Sequence, residues 1–445
     1  MTSATVAEKP TRIRWLIVAF IFAVTTVNYA DRATLSMAGS GAAAELGLSP
    51  IQMGYILSAF AWAYVAGQIP GGALLDRWGS KLIYMSALLI WSLFTFTQGF
   101  VGLIAFLPAA ATLFAMRFLV GFAESPSFPG NARIVASWFP ASERGTASAI
   151  FNSAQYFSLV AFAPLMGWLV HEFGWRSVFW VMGALGIFMA FLFKKIIHSP
   201  VDHPAVNKAE FDYIKAGGAV VNMEEVNAAR GKAFTWHNFK QVLLNRMLLG
   251  VYLGQYGINV LTYFFVTWFP IYLVQERGLS IIQAGFSAAL PALCGFAGGV
   301  LGGVISDRIL KRTGSLTVAR KTPLLIGMVL ASLIIACVYV EQQWLVVTIM
   351  AVAFFGKGIA SLGWAVMSDT SPKELAGVAG GVFNTFGNSA GIVTPIVIGY
   401  IVAATGSFDW ALIFVGVHCL LTILAYFLIV GRIERLELKP VESAR

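Results

Sequence analysis

Long apolar runs alternate with short polar ones along nearly the whole chain. A helix that crosses a bilayer needs about 20 predominantly apolar residues. Runs of that kind lie at 13–36, 51–74, 82–104, 107–133, 145–170 and 174–195. They recur at 247–274, 280–306, 322–341, 344–369, 375–403 and 408–431. A polar stretch from Lys194 to Arg246 separates the two sets. The pattern predicts an all-α membrane protein with twelve transmembrane helices in two six-helix bundles, residues 1–195 and 247–431. A linker over 196–246 joins the bundles, and a tail follows over 432–445.

Composition agrees with this reading. Of 445 residues, 58% are hydrophobic and 11% charged, and the mean hydropathy is +0.76. Soluble domains carry about 25% charged residues. The formal net charge of +9 belongs to the loops, and no nucleic-acid partner is expected. The odd-to-even loops hold only Arg176 and Arg277 as basic residues. The opposite side holds Lys9, Arg12, Arg14, Arg77, Lys81, Arg144, the linker, Arg308, Lys311, Arg312, Arg320, Lys321 and the tail. Positive charge concentrates on the cytoplasmic side, so both termini and the linker are expected there. Cys294, Cys337 and Cys419 lie in apolar runs and offer no disulfide framework. The first apolar run lacks a small-residue cleavage site and reads as a retained helix.

The two halves repeat. GGALLDRWGSK at 71–81 is echoed by GGVISDRILKR at 302–312, which sets Asp76 and Asp307 231 residues apart. Glu143 and Glu374 share that offset. One offset joining two motif pairs marks an internal duplication.

Several charges fall inside apolar runs, where each costs roughly 2.5–3.5 kcal/mol on insertion scales. In AMRFLVGFAESPSFPGNAR (115–133), Arg117 and Glu124 are seven apart and share a helix face. A structural ion pair and a functional site both fit that placement. Asp31 and Arg32 follow Tyr29 near the outer end of the first run. Arginine donates two parallel hydrogen bonds to a carboxylate, so Arg32 and Arg117 point to an anionic ligand. Glu124 and Asp31 are then the candidate proton carriers, each subject to burial and to a nearby arginine with opposite effects. Asn152 and Gln155, a stripe of Tyr252, Gln255, Asn259 and Tyr263, and the pair Asn384 and Asn388 supply amides and phenols for a polyhydroxylated ligand. Polar side chains also join membrane helices to one another. Lys357 and Trp364 share a face of the tenth run, and Lys357 is too central to reach the interface easily. Asp369, near the inner end of that run, reads as a surface or gating charge.

The glycine pair followed by Asp-Arg and a basic residue, after the second helix of a six-plus-six chain, resembles the major facilitator superfamily. NYADRATLS (28–36), SAFAWAYVAGQIPGGALLDRWGS (58–80), ESPSFPGNARIVASWFP (124–140) and FFGKG…GWAV (354–366) resemble its anion:cation symporters. Within that group the similarity is greatest to bacterial glucarate/galactarate permeases, along nearly the whole chain. The resemblance implies proton symport of a sugar-acid anion by alternating access, in a monomer of the bacterial inner membrane. It implies a ligand contact for Tyr64, and a conformational latch for Asp76, Arg77, Asp307 and Arg308. The aldonate branch of the group carries a neutral residue where this chain has Lys357, which suggests that Lys357 meets the second carboxylate of a diacid. A sodium-coupled symporter, an exchanger, or a carrier of aldonates or other organic anions remain alternatives. No cofactor is expected. His171-Glu172 lacks a second histidine, and His198 with His203 is too little for a metal. Neither a phosphate-binding glycine loop nor a nucleophile motif is present, which argues against an enzyme.

Overall fold

The computed structural model describes residues 9–103, 108–140, 143–221, 236–372 and 375–438. The side chains at 69, 76, 145, 376 and 377, the loop glutamate Glu374 and the middle of the linker lie outside the described residues. Within the described residues all regular structure is helical. The first half contains α1 (Ile13–Leu46), α2 (Pro50–Trp78), α3 (Ser80–Gln98), α4 (Ala109–Glu124), α5 (Ser127–Trp138), α6 (Arg144–Phe173) and α7 (Arg176–Ile196). Two short helices, α8 (Lys208–Ala216) and α9 (Trp236–Leu244), lie in the linker. The second half contains α10 (Arg246–Thr267), α11 (Phe269–Gln275), α12 (Ile281–Thr313), α13 (Leu316–Ser332), α14 (Gln343–Ala360), α15 (Gly363–Thr370), α16 (Ala376–Thr405) and α17 (Asp409–Leu424).

Among the described residues nine helical segments are long and apolar enough to cross a membrane, and the pair α10–α11, bent by 51°, makes a tenth. The other two apolar runs, α2 and α4–α5, are helical but do not meet that standard. Three expected spans are broken rather than continuous. Pro126 ends α4, because proline has no N–H to give the ladder. The break is stitched to α2 by Ser125 Oγ donating to the Gly67 carbonyl at 2.9 Å. The tenth run divides at Ser361 and Leu362 into α14 and α15, and the seventh bends at Trp268. The internal repeat reaches the capping level. Ser49 with Gln52 opens α2 and Ser280 with Gln283 opens α12, each as a reciprocal capping box.

Residues 9–14, 208–221 and 432–438 mark one end of the molecule, called here the terminal end. The halves meet through α2 against α16 and α6 against α12. Both contacts are tightest at the far end. A Cβ on Gly54 would sit 2.6 Å from the Pro395 carbonyl oxygen, and one on Gly285 would sit 2.8 Å from that of Ala163. Only glycine permits these backbones to touch. At the terminal end Arg77, Trp78, Asp307 and Arg308 are exposed.

The linker does more at this end than connect. Glu210 of α8 is fully buried. It accepts from Thr11 Oγ1 at 2.6 Å, the Ile13 amide at 3.0 Å and Arg14 Nη1 at 2.9 Å. It thus caps the first turn of α1, whose amides have no helical partner. Arg14 Nε also donates to Glu143 at 2.9 Å, and Tyr213 donates to Glu143 at 2.7 Å. Burial alone would push the Glu143 carboxyl up, but the hydrogen bonds from Arg14 and Tyr213 hold it below the usual carboxylate range.

Candidate functional site

The intramembrane charges gather where α1, α2 and α4 meet. α1 continues unbroken past Asn28, Asp31 and Arg32 and therefore projects them at fixed angles. α4 ends at Glu124. Arg32 Nε donates to Glu124 Oε1 at 2.7 Å, and Nη2 donates to the same oxygen. The Arg32 guanidinium also lies 4.6 Å from the ring centre of Tyr29, 4.8 Å from Phe60 and 4.9 Å from Tyr64. Such ring faces attract a cation, more strongly where water is excluded. The result is an arginine held by one carboxylate and three aromatic rings.

Arg117 takes a different place from the one its spacing suggested. It shares the α4 face with Glu124, yet its Nη1 donates to the Asp31 carbonyl and its Nη2 to the Arg32 carbonyl, both at 3.1 Å. It clamps the backbone of α1 and is nearly fully buried. The carboxylate of Asp31 is completely buried and has no hydrogen-bond partner on either oxygen. Glu124 Oε2 and both amide atoms of Asn28 are likewise buried and unpaired.

The second half faces it with amides and one lysine. Lys357, 5% exposed, stands in the last turn of α14. Its ammonium lies 5.5 Å from the Tyr156 ring and 5.1 Å from Phe354. No carboxylate lies within 4 Å of it among the described residues. A lysine at a helix C-terminus is favoured by the helix dipole, which helps to hold it there uncompensated. Lys357, Gln155, Tyr156, Thr262 and Tyr29 line one recess. Tyr29 also touches Arg32, so that single ring connects the two cationic positions.

The amides lie along α10 and α16. Gln255 donates to Asn259 at 3.2 Å, Tyr263 donates to Asn388 at 2.8 Å, and Asn388 donates to Asn384 at 3.0 Å. Asn384 donates to Gln68 of α2 at 3.3 Å, an amide bridge between the halves. Tyr252 leaves the predicted stripe. Its hydroxyl donates to the Val242 carbonyl and its ring stacks on Phe386, so it serves packing. Trp364 is 58% exposed, against Phe383.

Of the loop residues, the Asp76 side chain lies outside the described residues. Arg77 stacks on Trp78, 5.1 Å from its ring. Asp307 is 3.7 Å from Arg320, which also donates to Asp369 at 2.8 Å and to Ser306 at 2.8 Å. Arg320, Tyr156 and Asn28 were not singled out from sequence. Arg320 stood among loop charges, and the other two look like packing residues until their neighbours are known. Groups of three metal-ligating side chains are absent among the described residues.

The sequence profile of the Major Facilitator Superfamily matches residues 21–319 and 314–445. The chain is 59% identical to "Probable galactarate/D-glucarate transporter GudP" of Escherichia coli (strain K12) over 441 residues, which is 99% of this chain and 98% of that one. It is 38% identical to the "D-galactonate transporter" of Escherichia coli O6:H1, covering 96% of this chain and 98% of that one. Among solved structures, a bacterial homolog of the human lysosomal transporter Spinster, in an inward-facing and unoccupied conformation, aligns with a TM-score of 0.73 at 16% identity, covering 94% and 97%. A D-xylose-proton symporter aligns with a TM-score of 0.70 at 15% identity, covering 94% and 98%.

Proposed function

The chain belongs to the major facilitator superfamily, and from that premise we propose that it imports a sugar-acid anion of the glucarate/galactarate class together with protons. It is a membrane transporter, not an enzyme. On this reading twelve helices form two bundles, 1–195 and 247–431, in the bacterial inner membrane. The terminal end, with the linker and the tail, faces the cytoplasm. The close backbone approach of the halves at the far end and the exposed Arg77 and Arg308 at the terminal end support a conformation open inward.

The observation that carries the reading is a pair of inward cations linked through Tyr29, whose ring lies against Arg32 and lines the recess beside Lys357. Arg32 is held by a removable carboxylate, and Lys357 has no acid partner. A diacid supplies one carboxylate for each. Protonation of Glu124 from outside releases Arg32 to the substrate, with Asp31 as the second proton carrier. Arg117 stabilises the α1 backbone that presents both groups. Tyr29, Tyr64, Gln155, Gln255, Asn259, Tyr263, Asn384 and Trp364 contact the hydroxyls and the carbon chain of the ligand. The halves then rock about the site. The Asp76–Arg77 and Asp307–Arg308 motifs act as latches at the terminal end. Return of the empty carrier requires Arg32 and Glu124 to pair again, which couples the two fluxes.

The D-galactonate relative makes aldonates the competing substrate class, and the uncompensated Lys357 favours diacids over them. The test is uptake of labelled glucarate into proteoliposomes with an inward proton gradient at zero membrane potential. Accumulation that collapses with a protonophore is expected. Simple equilibration removes symport, and no uptake removes the substrate class.

A further inference from the structure

Lys357 is buried and meets no acid among the described residues, yet two aromatic rings flank it. Its Nζ lies 5.1 Å from the centre of Phe354 and 5.5 Å from that of Tyr156. Both distances fall where a ring face attracts a cation, and burial strengthens that attraction. The rings differ in origin. Phe354 stands three residues before Lys357 on α14, so it shares a helix face with the lysine and moves with it. Tyr156 comes from α6, in the other half of the molecule.

The packing around the lysine makes room for both rings. A Cβ on Gly295 of α12 would stand 2.6 Å from Phe354 Cδ1 and 3.2 Å from Tyr156 Cε1. One turn further on, a Cβ on Gly299 would stand 3.8 Å from the Tyr156 hydroxyl oxygen. The Tyr156 ring also meets Phe296 edge-on, with centres 6.0 Å apart. A side chain of one half is thus seated in a glycine-floored notch of the other, beside that half's buried cation. Tyr156 is half-buried and lines the recess together with Gln155, Tyr29 and Thr262.

We propose that Tyr156 is a positioning residue that holds the Lys357 ammonium toward the recess and so sets the preference for a diacid over a monoacid. A carboxylate in its place would neutralise the lysine and occupy its donors. A ring face attracts the ammonium and leaves its three N–H donors for a carboxylate that arrives with the ligand. Lysine has a flexible four-carbon stem. Without the ring from α6 that stem is free to turn, and the ammonium leaves the place where a second carboxylate meets it. A monoacid does not use that place and is indifferent to the change. The inference rests on Lys357 as the contact of the second carboxylate and names what aims it.

The measurement is KM and kcat for glucarate and for galactonate in proteoliposomes. Lys357→Asn comes first. If it weakens both substrates equally, the diacid reading of Lys357 falls, and this inference with it. If it weakens glucarate alone, the Tyr156 variants decide the inference by themselves. Tyr156→Leu then raises the glucarate KM roughly three- to tenfold, with kcat near wild type and galactonate unchanged. Tyr156→Phe keeps the wild-type values, because the ring face and not the hydroxyl meets the ammonium. In the Lys357→Asn background Tyr156→Leu has no further effect. Equal loss for both acids, a loss in Tyr156→Phe as large as in Tyr156→Leu, or an undiminished loss without Lys357 overturns the proposal. Should Tyr156→Leu not fold, phenylalanines of increasing fluorine content at position 156 replace it. Fluorine withdraws negative charge from the ring face and changes its shape little. A glucarate KM that climbs with fluorine content supports the proposal, and a flat series overturns it.

Discussion

Two broken helices each carry a charged group of this site at their end, Glu124 and Lys357, and the two are opposite in kind. α4 ends on Glu124 at the Ser125–Pro126 break, and α14 carries Lys357 in its last turn before the break at Ser361. The C-terminal end of a helix is the negative end of its dipole. It disfavours the carboxylate and favours the ammonium. Glu124 therefore depends on Arg32, which it must be able to lose. Lys357 depends on no acid and is free to meet one that arrives with a ligand. On the proposed mechanism, one half of the molecule changes its charge pairing and the other keeps a fixed charge waiting. That division suits a carrier in which one half handles the proton and both halves handle the substrate.

The sharpest way to break this comparison is Glu124→Gln. Proton-driven accumulation should fall to simple equilibration, while counterflow of substrate persists; normal accumulation would remove the proton role. Lys357→Asn comes next. A hydrogen bond to a charged group contributes about 1.5–3 kcal/mol, so glucarate transport should drop roughly 10- to 100-fold in kcat/KM. Galactonate transport should change little, and equal losses for both would make Lys357 a structural residue. Gly54→Val is expected to have a smaller effect, a several-fold loss of turnover. Its Cβ would press on the Pro395 carbonyl and oppose closure at the far end. Cysteine labelling at that end should become easier in the variant.

The smallest effects are expected away from both breaks, at the terminal end. Glu210→Ala removes a buried charged cap of α1 and should lower the thermal midpoint of the purified protein, with uptake within about twofold of wild type for a change that leaves the site untouched. Glu143 gives the pH version. Its carboxyl is held below the usual range in the folded protein, so its contribution is present above the ordinary carboxylate pKa. That contribution is lost as pH falls through the depressed value. Hydrogen exchange in Lys208–Ala216 should therefore rise only on strong acidification. A rise centred near neutral pH would mean that another group controls the docking of α8.

Apolar run lengths sufficed to read the helical, membrane-embedded class, because bilayer thickness sets the length of a span. The duplication was legible as one recurring offset between Asp76 and Asp307. The buried charges were legible too, since an ionised side chain in an apolar run is costly and stands out. Pairing was not. Spacing placed Arg117 and Glu124 on one face of one helix, yet Glu124 took its partner from α1 and Arg117 took two carbonyls there. Helix periodicity reports direction within a helix and carries no information about which neighbour lies across the interface. The capping of α1 by Glu210 and the Asn384–Gln68 contact between α16 and α2 belong to the same class. Each depends on groups distant in sequence that packing brings within hydrogen-bond reach, and only the tertiary structure decides that.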